Sequence, residues 1–453
     1  MKVNGKRILV VGMARSGCAA AELLLSHGAI PILSDTRKAD AFGDILNPFK
    51  DTVCELRLGE DPTKLIGEVD GIVISPGVPI DAPLVTLAKE HGIPLIGELE
   101  LAFSLLQGEV LAVTGTNGKT TTVTLLGKIF ENMGQQSYVA GNIGYPLSAV
   151  ALTSKKTDIV VTEVSSFQLE SIKTFRPHVA AVLNISEDHL NRHGTMAQYT
   201  KLKQRIFENQ RETDIAVLNL DDPLVAKMAG KIKSKVMYFS RTQPVEEGAY
   251  IKDGKIIWTS GGVKKIICDA DKVLIPGDHN LENALAATAM AAAMGVPAPI
   301  IRHTLQIFTG VEHRIERVRV LKGVVYINDS KGTNVDSTVK AVKSMNAPTV
   351  LIFGGYDKHT DFTPLAREIA MSPHIAHVVT IGQTAKQIRV TLEENGYQSI
   401  TDAYSMEDAV KKSSQLAAVG GNVLLSPACA SFDMFRDYEH RGTVFKELVN
   451  ALT

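Results

Sequence analysis

Val110-Leu-Ala-Val-Thr-Gly-Thr-Asn-Gly-Lys-Thr-Thr121, continued by Thr122 to Phe130, decides the fold. The run Val110–Val113 reads as a strand, and the stretch that closes at Phe130 as a helix. Between them, Gly115 and Gly118 make a turn that aims backbone N–H groups and the helix dipole at phosphate oxygens. Lys119 is placed to neutralise the outer phosphates of a nucleotide, and the Thr120 hydroxyl to ligate Mg²⁺. The standard phosphate loop has glycine at the position of Val113, so the motif here is a shorter Gly-x-x-Gly-Lys-Thr variant. An ordinary strand-to-helix turn is the bland alternative.

Two further strand ends lie downstream. Asp158–Thr162 reads as a strand with Glu163 at its carboxyl end, followed by Val-Ser-Ser-Phe-Gln168. Val179–Ile185 reads as another, followed by Ser-Glu-Asp-His189. Parallel sheets bind ligands beyond the carboxyl ends of their strands. Glu163 and His189 are therefore expected on the same edge as the phosphate loop, as oxygen and imidazole donors to a metal. Each has a plainer reading: a surface carboxylate at a turn, and a solvated or capping histidine. Thr195 then caps a helix over 195–209 whose buried stripe is Met196, Tyr199, Ile206 and Phe207. Lys203 is four residues from both Tyr199 and Phe207 and lies on that stripe; Lys201 does not. A lysine forced toward an apolar interior has a lowered pKa and becomes nucleophilic. Spacing alone favours the alternative, a lysine whose stem packs while its charge reaches water.

Short β-branched runs alternate with helical stretches along most of the 453 residues, the pattern of parallel sheets with crossover helices. One set holds Ile8–Val11, Ala29–Leu33, Gly71–Ile74 and Pro94–Ile96; the second starts at Val110 and runs to Ile215–Asn219. A third holds Val324–Ile327, Val350–Phe353, His377–Ile381 and Val423–Leu425. Residues 236–275 carry short runs split by Asp253-Gly254 and Gly261-Gly262, which read as antiparallel hairpins. Ala284–Ile301 is mostly alanine, interrupted by Gly295, Pro297 and Pro299, and reads as a buried core helix. Boundaries near 97 and 310 give domains 1–97, 98–310 and 311–453.

Composition narrows the class. Residues are 45% hydrophobic and 21% charged, as in ordinary globular proteins. With 48 basic against 49 acidic residues, a non-specific nucleic-acid binder is disfavoured. Cys18, Cys54, Cys268 and Cys429 are scattered, which fits neither a disulfide framework nor a zinc site and suits a reducing cytosol. The apolar run Ile8–Val11 is too short for a signal-peptide core, and Ala284–Ile301 is too interrupted for a membrane span. A cytoplasmic protein without membrane or nucleic-acid partners is expected.

The remaining polar clusters fall at strand or helix ends. Asn280 and Asn283 open the alanine-rich helix, as caps or as readers of a base edge. His313-Arg314 sits where an arginine can clamp phosphate or make a surface ion pair. Asn328-Asp329-Ser330-Lys331-Gly332-Thr333, Gly354-Gly355-Tyr356-Asp357-Lys358 and Ser426-Pro-Ala-Cys-Ala-Ser431-Phe432 each follow a strand. Singly they read as solvated loops; as a set they read as a site. Near the N-terminus, Gly12-Met-Ala-Arg15-Ser16-Gly17 lacks the middle glycine of a dinucleotide fingerprint, which disfavours an NAD-dependent oxidoreductase. Asp35-Thr36-Arg37 suits a ribose or base, and Ser75-Pro76-Gly77 is a tight turn able to offer N–H groups to a pyrophosphate.

Taken in order, Gly115 to Thr121, Glu163 to Gln168, Asp188-His189, the helix with Lys203, His279-Asn280 with Asn283, His313-Arg314, Asn328 to Lys331 and Ser426 to Ser431 resemble the Mur ligases. These are ATP-dependent, amide-forming enzymes of peptidoglycan precursor synthesis, and the resemblance covers the whole chain. Within the family, Gly12, Ser16-Gly17, Asp35 to Arg37 and Ser426 to Asp433 are most similar to the member that adds D-glutamate to UDP-N-acetylmuramoyl-L-alanine. The resemblance implies an α/β fold in three domains. The first is a Rossmann-like UDP-binding domain. The second is a P-loop mononucleotide-binding domain with a parallel sheet plus a small antiparallel sheet. The third is a Rossmann-like amino-acid-binding domain.

The resemblance also implies roles. Gly115, Thr116, Asn117, Gly118, Lys119, Thr120 and Thr121, with Asn283, Arg314, Asp329 and Lys331, would hold ATP. Thr120 and Glu163 would bind one Mg²⁺, and His189 with a carbamylated Lys203 a second. Carbamylation overturns the spacing argument on Lys203, because a desolvated neutral amine is what CO₂ captures. Arg15, Ser16, Asp35, Thr36, Arg37, Ser75, Gly77, Asn142, Ser165 and Gln168 would line the UDP-substrate path, with Arg15 standing where an apolar residue would be unsurprising. Thr333, Lys358, Ser431 and Phe432 would hold D-glutamate, with Tyr438 nearby. A monomer acting on small molecules is implied, and closure of the third domain over the second is expected because the ATP contacts assigned above come from both. The competing readings are a sibling Mur ligase, a folylpolyglutamate-type ligase, and a P-loop ATPase without acceptor chemistry.

Overall fold

The computed structural model describes residues 2–356 and 360–453. Three sheets organise it. The first contains β1 (Arg7–Val11), β2 (Ile30–Asp35), β3 (Glu55–Leu58), β4 (Gly71–Ile74) and β5 (Leu95–Gly97), all parallel, in the order β3-β2-β1-β4-β5. The second contains β6 (Glu109–Thr114), β7 (Ser137–Gly141), β8 (Ile159–Glu163), β9 (Val179–Val182), β10 (Ile215–Asn219), β11 (Lys235–Ser240), β12 (Gly248–Lys252), β13 (Lys255–Ser260) and β14 (Val263–Asp269). Its order is β14-β13-β12-β11-β10-β9-β6-β8-β7, parallel except where β13 and β14 close one edge antiparallel. The third contains β15 (Glu316–Leu321), β16 (Val324–Asn328), β17 (Thr349–Phe353), β18 (Ile375–Thr380), β19 (Ile400–Asp402) and β20 (Asn422–Leu425), in the order β15-β16-β20-β17-β18-β19. Only β15 runs antiparallel there. The central strands are buried on both faces, as β9 and β17 are along their whole length, which is what crossover helices on both sides of a parallel sheet require.

The chain forms two compact units. One comprises Met1–Ile185, His189–Lys272 and Glu282–Gln306; the other comprises Ser186–Asp188, Val273–Leu281 and Ile307–Thr453. Within the first unit, the first two sheets share one continuous core, in which Leu23 and Leu24 belong to the same cluster as Leu101, Val150 and Phe175. The helix Glu98–Leu105 fixes this junction with two buried carboxylates. Glu100 accepts N–H bonds from Lys173, Thr174 and Phe175 at 2.8, 2.7 and 3.0 Å. Glu98 accepts from the Ser148 N–H at 2.7 Å, and burial raises its pKa.

The strands absent from the sequence reading are β3, β7, β11, β15 and β19. All but β11 lie on a sheet edge, where one face or flank meets water and no long apolar run is needed. The 236–275 region is a mixture: β11 and β12 pair in parallel, and only β12 to β14 form the expected antiparallel meander. Ala284–Ile301 is not one helix. Asp278–Ala293 ends before Gly295, whose φ is +79°, and Ala298–Ile307 restarts with Pro299 in its first turn, where a missing N–H costs nothing. The helix capped by Thr195 is α-helical over Met196–Gln204 and tightens to a 3₁₀ turn at Arg205–Phe207. Among the described residues no helix is long and apolar enough to cross a membrane.

Candidate active site

β6 lies between β8 and β9, the point where the strand order reverses in the second sheet. Its register sets Val113 beside Glu163 and Thr114 beside Val182, so three strand ends share one edge. The phosphate loop turns there on Gly115 and Gly118, with φ of +152° and +86°. A Cβ on Gly118 would lie 2.2 Å from Asn283 Oδ1, so the loop packs directly on the alanine-rich helix. Asn184, just past β9, pins the loop. Its carbonyl accepts from the Thr116 N–H at 2.9 Å, its Oδ1 accepts from the Asn117 N–H at 2.8 Å, and its Nδ2 donates to the Asn117 carbonyl at 3.0 Å. Lys119 Nζ donates to the carbonyls of Gly115 (2.9 Å) and Thr116 (2.7 Å).

Thr120 Oγ1 donates to Glu163 Oε2 at 2.8 Å, and Asn142 Nδ2 donates to Glu163 Oε1 at the same distance. Glu163 is only 2% exposed, which removes the surface-carboxylate reading. A hydroxyl and a buried carboxylate beside an N–H-lined phosphate loop are hard oxygen donors, and they fit Mg²⁺. Asn142, read as part of the UDP-substrate path, is bonded to this carboxylate.

Lys203 is 2% exposed and does not reach water. Its Nζ donates to the Gly115 carbonyl at 2.8 Å and lies 4.6 Å from the centroid of the Tyr199 ring. Tyr199 in turn sets its hydroxyl 3.3 Å from Thr116 Oγ1. Two lysine amino groups, from 119 and 203, therefore converge on one carbonyl oxygen. Two ammonium charges that close repel in a poorly solvated site. A lysine that becomes an anionic carbamate beside Lys119 would turn that repulsion into attraction, so the surroundings fit the modification. His189 takes the left-handed conformation (φ +54°) at the head of the short helix Leu190–His193, its ring edge-on to Phe167 at 4.9 Å.

In the first sheet, the ends of β1 and β4 meet at the other reversal of strand order: Ser75 Oγ donates to the Gly12 carbonyl at 3.1 Å. Asp35 accepts from the Met13 N–H at 3.0 Å and from the Arg37 guanidinium at 2.9 and 3.0 Å. That guanidinium holds its carboxyl well below the usual carboxylate range. Arg15, Thr36, Arg37 and Gly77 are exposed, and Ser16 and Ser75 are half-buried. Ser165 and Gln168 bond each other in a capping box that starts the helix Ser166–Leu169.

In the second unit, the register sets Asn328 and Ile352 on either side of Leu425, so the three polar bursts singled out from the sequence emerge together. Ser426 Oγ donates to Asp329 Oδ2 at 2.7 Å, and the Ile315 N–H donates to Oδ1 at 3.2 Å. Lys331 Nζ reaches the Tyr438 hydroxyl at 3.0 Å. Arg314 donates to Ser337 Oγ at 3.3 Å. His279 lies near it, and burial followed by the charges of Arg314 and Lys340 lowers its pKa to about 3. Thr333 is half-buried, Ser431 is buried, and Phe432 is exposed and edge-on to Tyr356 at 6.2 Å. Lys358 and Asp357 lie outside the described residues.

Burial pushes the Asp329 carboxyl up to about 6, against the pull of Arg314. A raised carboxyl pKa means that the folded state holds its proton to higher pH than the unfolded state. Stability is therefore lost as pH rises from about 4 to about 6, by up to about 3 kcal/mol from this group. Asp329→Asn should flatten that part of the profile, with Ser426 rotating its hydroxyl to accept from the new amide. Thermal unfolding of both proteins from pH 4.5 to 7.5 checks it; parallel profiles would contradict the assignment.

Several residues that shape these sites escaped the sequence reading. Asn184 carried a signal, being polar at a strand's carboxyl end. Arg441 carried none, since it lies inside the helix Tyr438–Ala451. It is 2% exposed and donates to the carbonyls of Ser330 (2.7 Å), Cys429 (3.0 Å) and Ala430 (3.2 Å), joining two of the bursts. Burial lowers its pKa to about 10.

The chain matches the models for the Mur ligase MurD-like N-terminal domain over residues 6–97, the Mur ligase middle domain over 113–291 and the Mur ligase glutamate ligase domain over 313–429. It belongs to the Mur ligase family. Among relatives named UDP-N-acetylmuramoylalanine--D-glutamate ligase, that of Thermoanaerobacter sp. (strain X514) is 47% identical and that of Clostridioides difficile (strain 630) 44%, each aligned over the whole of both chains. Of solved structures, UDP-N-acetylmuramate-alanine ligase MurC from Thermotoga maritima aligns over 98% of this chain and 99% of its own, with a TM-score of 0.63 at 18% identity. MurF from Acinetobacter baumannii aligns over 99% of this chain and 91% of its own, with the same TM-score and identity. These two share the fold.

Proposed function

We propose that the chain is an ATP-dependent ligase that joins the amine of D-glutamate to the carboxylate of UDP-N-acetylmuramoyl-L-alanine, in peptidoglycan precursor synthesis. The observation that carries this reading is identity of 42–47% along the full length of enzymes named for that reaction. The functional divisions are taken as 1–97 for the UDP-substrate, 98–310 for ATP and 311–453 for the amino acid, in a cytoplasmic monomer.

The chemistry follows from the substrates. A carboxylate is a poor electrophile, so its oxygen first takes the γ-phosphoryl group of ATP, breaking the bond to ADP and giving an acyl phosphate. The deprotonated amine of D-glutamate attacks the acyl carbon, and the C–O bond breaks to release phosphate and leave the amide. Lys119 and the N–H groups of 118–121 disperse charge on the transferring group. Mg²⁺ on the Thr120 hydroxyl and Glu163 carboxylate would supply further neutralisation of the phosphates. His189 and Lys203 would serve a second ion, once the neutral Lys203 amine has added to CO₂ with loss of one proton. Asn283, Arg314, Asp329 and Lys331 are assigned to the nucleotide. Thr333, Lys358, Ser431 and Phe432 are assigned to D-glutamate.

Phosphate release with ATP and Mg²⁺, crossing the UDP-substrate and D-glutamate in a two-by-two design with L-glutamate as control, tests the reading. Release that needs both substrates is expected. Release with another amino acid would move the chain to a sibling reaction. Release with ATP alone would replace the ligase by an ATPase.

A further inference from the structure

We propose that Arg192 is a positioning residue that holds the UDP-substrate turn in its binding geometry; this rests on the ligase reading above. Arg192 lies in the helix Leu190–His193, three residues beyond His189. Its side chain is 19% exposed and its guanidinium has four neighbours. Nη2 meets Glu170 Oε2 at 2.6 Å. The guanidinium carbon lies 4.3 Å from the centroid of the Phe167 ring. Nη1 donates to the Pro76 carbonyl at 3.4 Å and Nη2 to the Val78 carbonyl at 3.3 Å. Those carbonyls flank Gly77 in the turn after β4, which Ser75 already ties to Gly12.

The Glu170 side chain, 4% exposed, sets its other oxygen 3.5 Å from His193 Nδ1, and His193 Nε2 sits 2.9 Å from Ser166 Oγ. One buried carboxylate thus anchors both basic residues of the short helix, and the arginine reaches from it to the first sheet. The junction has no slack. A Cβ on Gly97 would lie 2.2 Å from Ser171 Oγ. The cavity lined by Ser75, Pro76, Phe167, Gln168 and Glu170 holds about 10 Å³, room for one water at most.

In the turn, the Ser75 N–H donates to the Val11 carbonyl and the Val78 N–H to the Ser75 carbonyl, and Pro76 has none, so the Gly77 N–H is the one directed at the pyrophosphate; the hold on the carbonyls at 76 and 78 from behind fixes its direction. A lysine cannot replace that hold, because a point charge does not meet a carboxylate and two carbonyls at set angles. The phosphate loop is fixed separately, by Asn184 and Lys119, so loss of the Arg192 side chain falls mainly on affinity for the UDP-substrate.

Calorimetric binding of UDP-N-acetylmuramoyl-L-alanine, with KM for that substrate and for ATP, is measured on wild type, Arg192→Met and Arg192→Lys. Arg192→Met is expected to raise Kd and KM for the UDP-substrate about tenfold or more, the scale of a lost charge-assisted contact. KM for ATP should stay within about twofold on this reading, and Arg192→Lys should recover only part of the loss. If Arg192→Met fails to fold, Glu170→Gln keeps the shape and should show the same one-sided shift. Unchanged UDP-substrate affinity, or a parallel rise in KM for ATP, overturns the inference. A wild type that binds no UDP-substrate overturns the ligase reading, and this inference with it.

Discussion

Replacing Lys119 by methionine is expected to cut phosphate release, with both acceptor substrates present, about a thousandfold. Lys119 is the first residue of the helix Lys119–Asn132, and its amino group is held by the carbonyls of Gly115 and Thr116. Those carbonyls pre-position the charge over the loop, so no side-chain search is needed when phosphate arrives. Methionine keeps the stem and loses the charge. Asn184 still holds the backbone of Thr116 and Asn117, so the loop should keep its shape and the melting temperature should change by only a few degrees. Single-turnover phosphate release separates this loss from slow product release. Retention of more than about a tenth of wild-type turnover would remove Lys119 from the transition state.

Lys203→Met is expected to lower turnover about a hundredfold and to abolish any dependence on dissolved CO₂. The buried amino group shares the Gly115 carbonyl with Lys119. One of two such neighbours is better neutral or negative than positive. Methionine fits the space between Tyr199 and the loop without a buried polar atom, so folding should survive. Wild type supplied with ¹³C-bicarbonate should show a carbamate carbonyl resonance that Lys203→Met lacks, and depletion of CO₂ should slow wild type alone. Equal rates with and without bicarbonate, and no resonance, would leave Lys203 as a plain ammonium.

Val110 to Phe130 was legible because one glycine-rich turn between an apolar strand and a helix has few other uses. Glu163 was legible as a strand end, but its Asn142 partner was not, since that contact depends on β7, an edge strand with no strong apolar run. Lys203 shows the limit of spacing. Helical periodicity placed it on the buried face next to Tyr199, yet periodicity says nothing about what covers that face, and the covering group is the phosphate loop. Arg192 and Arg441 carry no signal in the sequence. Their partners are backbone carbonyls of distant turns, which leave no mark in residue type. The three bursts of the C-terminal sheet read as a site when taken as a set, and the pairing of Asn328 and Ile352 with Leu425 is what sets them side by side.

That strand order also governs when the C-terminal sheet can exist. β20, residues 422–425, is the last strand made, and it sits between β16 and β17, made some seventy to a hundred positions earlier. Until it emerges, β16 and β17 have no edge in common, and Asp329 has no Ser426 to bond. A growing chain must therefore carry two unfinished half-sheets with bare flanks until β20 emerges, and must then close them over a long contour. The N-terminal sheet pairs each strand with one already nearby and can consolidate early. Loss of β20 would strand the C-terminal sheet as an aggregation-prone intermediate while leaving the N-terminal sheet able to fold.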